Sequence, residues 1–204
     1  DVHGSRGLGD VYKRQISHIE TKSREDFPEF EELFNLVESF MGYLPNAYLL
    51  MADKPDLMHA FAKMSASVFK DDILDIQSKQ LIALASSLSA GCKYCQSHTS
   101  HGAERAGVPN EKIANILNYQ TSIYYKPHEV ALLDLAFASG EVPNKATKIH
   151  FDKLKEFYSK EQILEAVSVI SFFGFLNRWN DTLGTQIEEV PADYLNNKLN
   201  PKDW

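Results

Sequence analysis

The chain has 204 residues, 44% of them hydrophobic, which is enough for one sizeable core, so a single domain is expected. A formal charge of −7 with no cluster of lysine or arginine argues against nucleic acid and anionic membranes as partners. No apolar run approaches the roughly 20 residues that span a bilayer, and no charged-then-apolar leader opens the chain, so the cytoplasm is the expected location.

The first fifteen residues are Gly-rich without periodicity, and Asp10 to Gln15 resemble a translated sequencing adapter, so the folded part is expected to begin after them. Helices then alternate with Gly and Pro punctuation. Asp26 can cap a helix with Pro28 in its first turn; Phe30, Leu33, Phe34, Val37 and Phe40 make one apolar face, and Gly42 ends it. Leu44-Pro45-Asn46 restarts the chain. Pro55 opens a helix whose Leu57, Met58, Phe61, Met64 and Val68 read as core. A further helix covers residues 75 to 89, with Leu81, Ile82, Leu84, Ala85 and Leu88 apolar and Gly91 closing it.

The stretch Ala90-Gly91-Cys92-Lys93-Tyr94-Cys95-Gln96-Ser97-His98-Thr99 follows and holds both cysteines of the protein. A Cys-x-x-Cys pair that opens a helix gains twice: free N–H groups and the positive dipole end favour a thiolate, and a disulfide can close over one turn. That combination makes a redox dithiol. Cys92, Cys95, His98 and His101 also have the types of zinc ligands, but steps of three on one helix turn Cys92 and His101 to opposite sides, so one metal cannot collect all four. Covalent haem attachment requires His directly after the second Cys, where Gln96 stands. The plain alternative is two small buried hydrophobes. At about 100° per residue, Thr99 lies on the cysteine face and His98 one step from Cys95, which makes His98 the local candidate for moving a proton to or from sulfur. His101 falls farther round and reads as a surface or interface histidine. A helix rather than a strand precedes the motif, which argues against a thioredoxin fold.

The Cys helix is expected to run to about residue 106, with others over 109 to 119, from Pro127 to Gly140, and over 147 to 158. Ser159-Lys160-Glu161-Gln162 is a capping-box pattern opening the longest helix, to about residue 183, whose Ile163, Val167, Ile170, Phe172, Phe173 and Leu176 surround the axis as in a helix at the centre of a bundle or at a subunit interface. Asn177, Arg178, Trp179, Asn180 and Asp181 interrupt its apolar run, and of these Asn177, Arg178, Trp179 and Asp181 are candidates to line a pocket. The segment 190–204 reads as a polar tail after a domain spanning 16–189. The fold is therefore expected to be all-α, a compact multi-helix bundle of about eight helices.

The run from Ser89 to Thr99, preceded by Gln80-Leu81-Ile82-Ala83-Leu84-Ala85, resembles the core of the carboxymuconolactone decarboxylase and alkylhydroperoxidase D-like family. Gly42-Tyr43-Leu44-Pro45-Asn46 and Phe173-Gly174-Phe175-Leu176-Asn177-Arg178-Trp179-Asn180-Asp181 resemble its peroxidase-related branch. The resemblance implies that Cys95 attacks peroxide and Cys92 resolves it, and that the protein forms homo-oligomers, trimer or hexamer. It also implies a Glu-fed histidine relay, but the Glu position holds Gln80, the His between the cysteines is Tyr94, and the His four after the second Cys is Thr99. These three are then expected to form hydrogen-bonding surroundings, with His98 handling protons. The expected activity is a thiol-dependent peroxidase or disulfide oxidoreductase that needs no metal or organic cofactor, acting on a hydroperoxide and reset by an external thiol or dithiol. Two alternatives stand beside it: a non-enzymatic redox sensor or binding oligomer, and lactone decarboxylation, whose branch lacks the Cys-x-x-Cys.

Overall fold

The computed structural model describes residues 16–199. The expectation for residues 1–15 lies outside that range. Ten α-helices and three short 3-10 turns make up the described residues, without a strand: α1 Glu31–Met41, α2 Asn46–Ala52, α3 Pro55–Val68, α4 Ile76–Ala90, α5 Lys93–Arg105, α6 Asn110–Ala114, α7 Pro127–Gly140, α8 Lys148–Leu154, α9 Lys160–Leu183 and α10 Glu189–Lys198. The all-α expectation holds.

The hub is α4. Leu81 to Ser87 are all buried, and α5, α7 and α9 pack around them. Ala83, Ala85, Ser86 and Ser87 keep that helix thin, so three neighbours can approach it from different sides. The fit against α5 is close: a β-carbon on Gly102 would stand 2.7 Å from Gln80 Oε1. One buried ion pair ties the hub to α9, where the Lys79 ammonium, fully enclosed, meets Glu165 and the carbonyl of Lys70.

Helix α9 begins as its sequence indicates, with Ser159 accepting the Gln162 N–H and Gln162 Oε1 accepting the Ser159 N–H at 2.9 Å. It is not the central helix, however. Phe172 and Phe173 face the core while Leu164 is 55% exposed and Ser168, Ser171 and Arg178 share the open side. Its apolar residues follow more than one face because a long helix on the rim touches several neighbours along its length.

Three other expectations change. Asp26 accepts the Ser23 N–H at 2.9 Å within a 3-10 turn, and α1 starts five residues later. Phe40, assigned to the buried face of α1, is 70% exposed. The segment from residue 190 is no tail: α10 runs to Lys198 and buries Pro191 and Tyr194 against the bundle, with Tyr194 Oη donating to Asn110 Oδ1 at 2.8 Å. Its polar residues lie on the solvent side, and two buried side chains are too few to show as a period. Among the described residues no helix is long and apolar enough to cross a membrane.

Candidate active site

The dithiol is set by the junction between α4 and α5. Gly91 takes a left-handed conformation (φ 80°), its N–H bonds Leu88 O at 3.1 Å and the Cys92 N–H bonds Ser87 O at 3.2 Å, which is the double closure that ends a helix and turns the next residue outward from it. Cys92 thereby becomes the N-cap of α5, and its sulfur accepts the Cys95 N–H at 3.4 Å. Both cysteines are free thiols and buried.

Cys95 hydrogen-bonds the Cys92 sulfur, and this contact, with burial, raises the Cys95 thiol well above its ordinary range; the Asn180 amide, donating to Cys95 Sγ at 3.6 Å, acts in the opposite direction. The Cys95 thiol is thereby held in its protonated form, while Cys92 is the sulfur that stands at the helix end, beside the free N–H groups of the first turn.

His98 lies buried over the Tyr94 ring, with centroids 4.0 Å apart. Its Nδ1 is 2.8 Å from Tyr94 O, which can only accept, so Nδ1 bears a proton. Its Nε2 faces Glu188 Oε2 at 2.7 Å. For that contact to attract, a further proton must sit on one of those two atoms. The other carboxylate oxygen accepts from Tyr94 Oη at 2.8 Å and from the N–H of Asn46 at the start of α2. Burial alone would raise Glu188, but His98 and the Asn46 N–H outweigh it and hold the carboxyl below its usual range. Tyr94 moves the other way, pushed well up by burial and by the Glu188 charge. It stays a phenol, donating to Glu188 and accepting the Ala47 N–H at 3.2 Å.

Glu188 is the residue that reading the sequence missed. It is the N-cap of α10, and Pro191 in the first turn of that helix was the one available sign that an ordered element begins there. Gln80 does not substitute for the absent carboxylate; it packs against Gly102 on α5. Thr99 does not reach a sulfur either, since its hydroxyl donates to Cys95 O at 2.7 Å. Both nitrogens of His98 are engaged, so in this state it holds the Glu188 carboxylate rather than a thiol. His101, expected at the surface or at an interface, is buried between the rings of Tyr43 and Tyr194, at 5.9 and 5.6 Å. Among the described residues no three His, Cys, Asp or Glu side chains gather as a metal site.

Of the four candidate pocket residues, Arg178 and Trp179 line one groove beside α9, and Asn177 and Asp181 do not. Asn177 is buried with neither amide atom partnered, Trp179 is half-buried, and Arg178 and Asp181 are exposed. The polar side chain at the dithiol is Asn180, one residue from the expected set.

Residues 55–138 match the model of the carboxymuconolactone decarboxylase family. The whole chain is similar to the debrominase Bmp8, solved in complex with 2,3,4-tribromopyrrole, with 36% identity over 92% of this chain and 98% of that one and a TM-score of 0.83. The chain belongs to the carboxymuconolactone decarboxylase family. The fold is also shared with an alkylhydroperoxidase AhpD core, an uncharacterised peroxidase-related protein of Ralstonia eutropha JMP134, at 22% identity, 87% of this chain, 95% of that one and a TM-score of 0.78. The uncharacterised protein YdfG of Bacillus subtilis is 23% identical over 149 residues, covering 72% of this chain and 94% of its own. The family core thus spans α3 to α7, which includes the dithiol and His98 but not Glu188 or Asn180.

Proposed function

We propose that the protein is a dithiol oxidoreductase that passes two electrons from Cys92 and Cys95 to the electrophilic oxygen of a hydroperoxide. The observation that carries this reading is the Cys92 sulfur at the N-terminus of α5, beside a Cys95 thiol that retains its proton. The Cys92 thiolate attacks the distal peroxide oxygen, an S–O bond forms, the O–O bond breaks, and the departing alkoxide takes a proton to become an alcohol. Cys95 then attacks the sulfenic sulfur; the disulfide forms and water leaves with the Cys95 proton. An external thiol or dithiol returns two electrons and two protons. This order reverses the one implied by family resemblance, because Cys92 is the sulfur at the N-terminus of α5 and Cys95 is the thiol that burial and its neighbour hold protonated. The His98–Glu188 pair supplies a proton to the alkoxide when Nε2 swings from the carboxylate.

A second reading is favoured by the similarity to the debrominase. The same two electrons would remove bromine from an aromatic ring: the dithiol becomes a disulfide, the ring gains hydrogen and bromide leaves. Both readings predict oxidation of the dithiol and differ in the electrophile.

In Cys95→Ser, cumene hydroperoxide is expected to leave a sulfenic acid on Cys92 that a dimedone-type probe labels, whereas Cys92→Ser labels much more slowly at Cys95. The opposite pattern returns the attack to Cys95. In the wild-type protein, steady consumption of cumene hydroperoxide with dithiothreitol supports the peroxidase. Release of bromide from a polybrominated pyrrole without peroxide turnover transfers the assignment to dehalogenation. If both cysteines still alkylate fully after either substrate, the redox reading fails.

A further inference from the structure

A groove of about 610 Å³ opens beside α9, lined on its apolar side by Ile19, Leu50, Phe175, Trp179 and Leu183. Phe175 and Trp179 stack at 5.9 Å, and the Trp179 indole N–H has no partner. The volume lies within the range of small-molecule sites.

Its charged residues are unevenly matched. Asp53 is occupied by Lys22, whose ammonium lies 2.8 Å from Oδ1. The Lys54 and Arg178 side chains, both exposed, have no ion-pair or hydrogen-bond partner among the described residues. Among the described residues, the groove therefore offers two exposed cations without a partner beside a hydrocarbon wall. An occupant that satisfies both features has an apolar body and an anionic head, with Arg178 suited to a carboxylate through its paired N–H donors.

The position relates the groove to the dithiol. Trp179 immediately precedes Asn180, whose amide donates to Cys95 Sγ. Leu50 lies on α2, whose first residues Asn46 and Ala47 give their N–H groups to Glu188 and Tyr94. A ligand in the groove would rest on the two helices that hold the sulfur and the relay in place.

We infer that this groove is a binding site for an amphipathic carboxylate, with the alkyl or aryl body against Phe175 and Trp179 and the carboxylate at Arg178 and Lys54. Occupancy requires no sulfur chemistry, so the site stands apart from the proposed reaction.

The test uses Trp204→Phe, which leaves Trp179 as the single tryptophan, titrated below micellar concentration with decanoate, decanol and decyltrimethylammonium. Decanoate should shift the Trp179 emission saturably, decanol should bind at least tenfold more weakly, and the cation should have no saturable effect. Arg178→Gln should weaken decanoate about tenfold, and Arg178→Gln with Lys54→Gln should bring it to the level of decanol. The Cys92→Ser/Cys95→Ser protein should bind decanoate unchanged, so failure of the thiol assay leaves this site standing. Equal affinity for decanoate and decanol, undiminished binding in the double glutamine variant, or no saturable decanoate response would each overturn the inference. So would an emission that depends on protein concentration and not on decanoate, which would show a second copy filling the groove.

Discussion

Helices α5 and α9 invert the usual relation between composition and burial. Nearly every residue of α5 from Tyr94 to Ala103 is buried, although the segment is made of Gln, Ser, His and Thr. The far more apolar α9 leaves Leu164 and a row of small polar residues in solvent. The difference lies in where the hydrogen bonds go. On α5 the hydroxyls of Ser97, Thr99 and Ser100 return to carbonyls of their own helix, Gln96 donates to Ser87 O, and His98 and Tyr94 share Glu188. With its polar groups answered locally, a polar helix can be enclosed at little cost. At the far end of α9 the reverse holds: Asn177 is buried with its amide unpaired, as is Asn180 Oδ1 beside the dithiol. A polar group is interior in both places, but only on α5 is it spent on structure.

The largest test of this contrast removes the charge that fastens α9 to the hub. Lys79→Met leaves Glu165 enclosed without its partner and should cost about 3–5 kcal/mol in urea unfolding, with most of the loss recovered in Lys79→Met/Glu165→Leu. A single variant that costs under about 1 kcal/mol would mean that α9 is held by its aromatic face alone.

The next effect is on rate. If the enclosed polar network of α5 serves chemistry, His98→Ala should slow peroxide-driven disulfide formation by about a hundredfold, within the range of acid–base assistance, and Glu188→Gln by about tenfold. Stability gives a separate reading. The Glu188 carboxyl is held below its usual range, so its contribution is fully present above the unfolded value of about pH 4.3 and is lost as pH falls through the lower folded value. The gap in Tm between wild type and Glu188→Gln should therefore be constant near neutral pH and close in acid. A gap that persists at about pH 2 would assign the loss to packing instead.

The smallest pair compares equivalent hydroxyls on the two helices. Thr99 and Ser168 each donate to the carbonyl four residues back, one enclosed and one exposed. Thr99→Val should cost about 1 kcal/mol, and Ser168→Ala under about 0.5 kcal/mol. Equal costs would remove burial as the variable that separates α5 from α9.

Much of the fold was legible because its signals are local. Pro55, Pro127 and the Ser159 capping box start helices where the structure has them, and Gly42 and Gly91 end helices in left-handed conformations. The errors fall where a local signal met a distant partner. Phe40 follows the helical period yet its ring is in solvent, while the Arg105 side chain of α5 reaches that end of α1 at the Phe40 carbonyl. Tyr194 looks like one aromatic in a polar tail, yet it is enclosed because α5 presents His101 to it.

At the site the division is sharper. The sequence by itself determined the dithiol: three-residue spacing and a glycine that must end one helix just before the next begins are properties of adjacent residues, and they fix Cys92 as a cap. Only the tertiary structure decided which carboxylate meets His98, since Gln80 stands where the resemblance implied a Glu and Glu188 arrives from the start of α10. It also decided that Asn180 rather than Asp181 meets Cys95, a matter of how α9 is rotated against α5. Contacts between segments distant in the chain are set by the packing of whole helices, which leaves no period or spacing in the residues that make them.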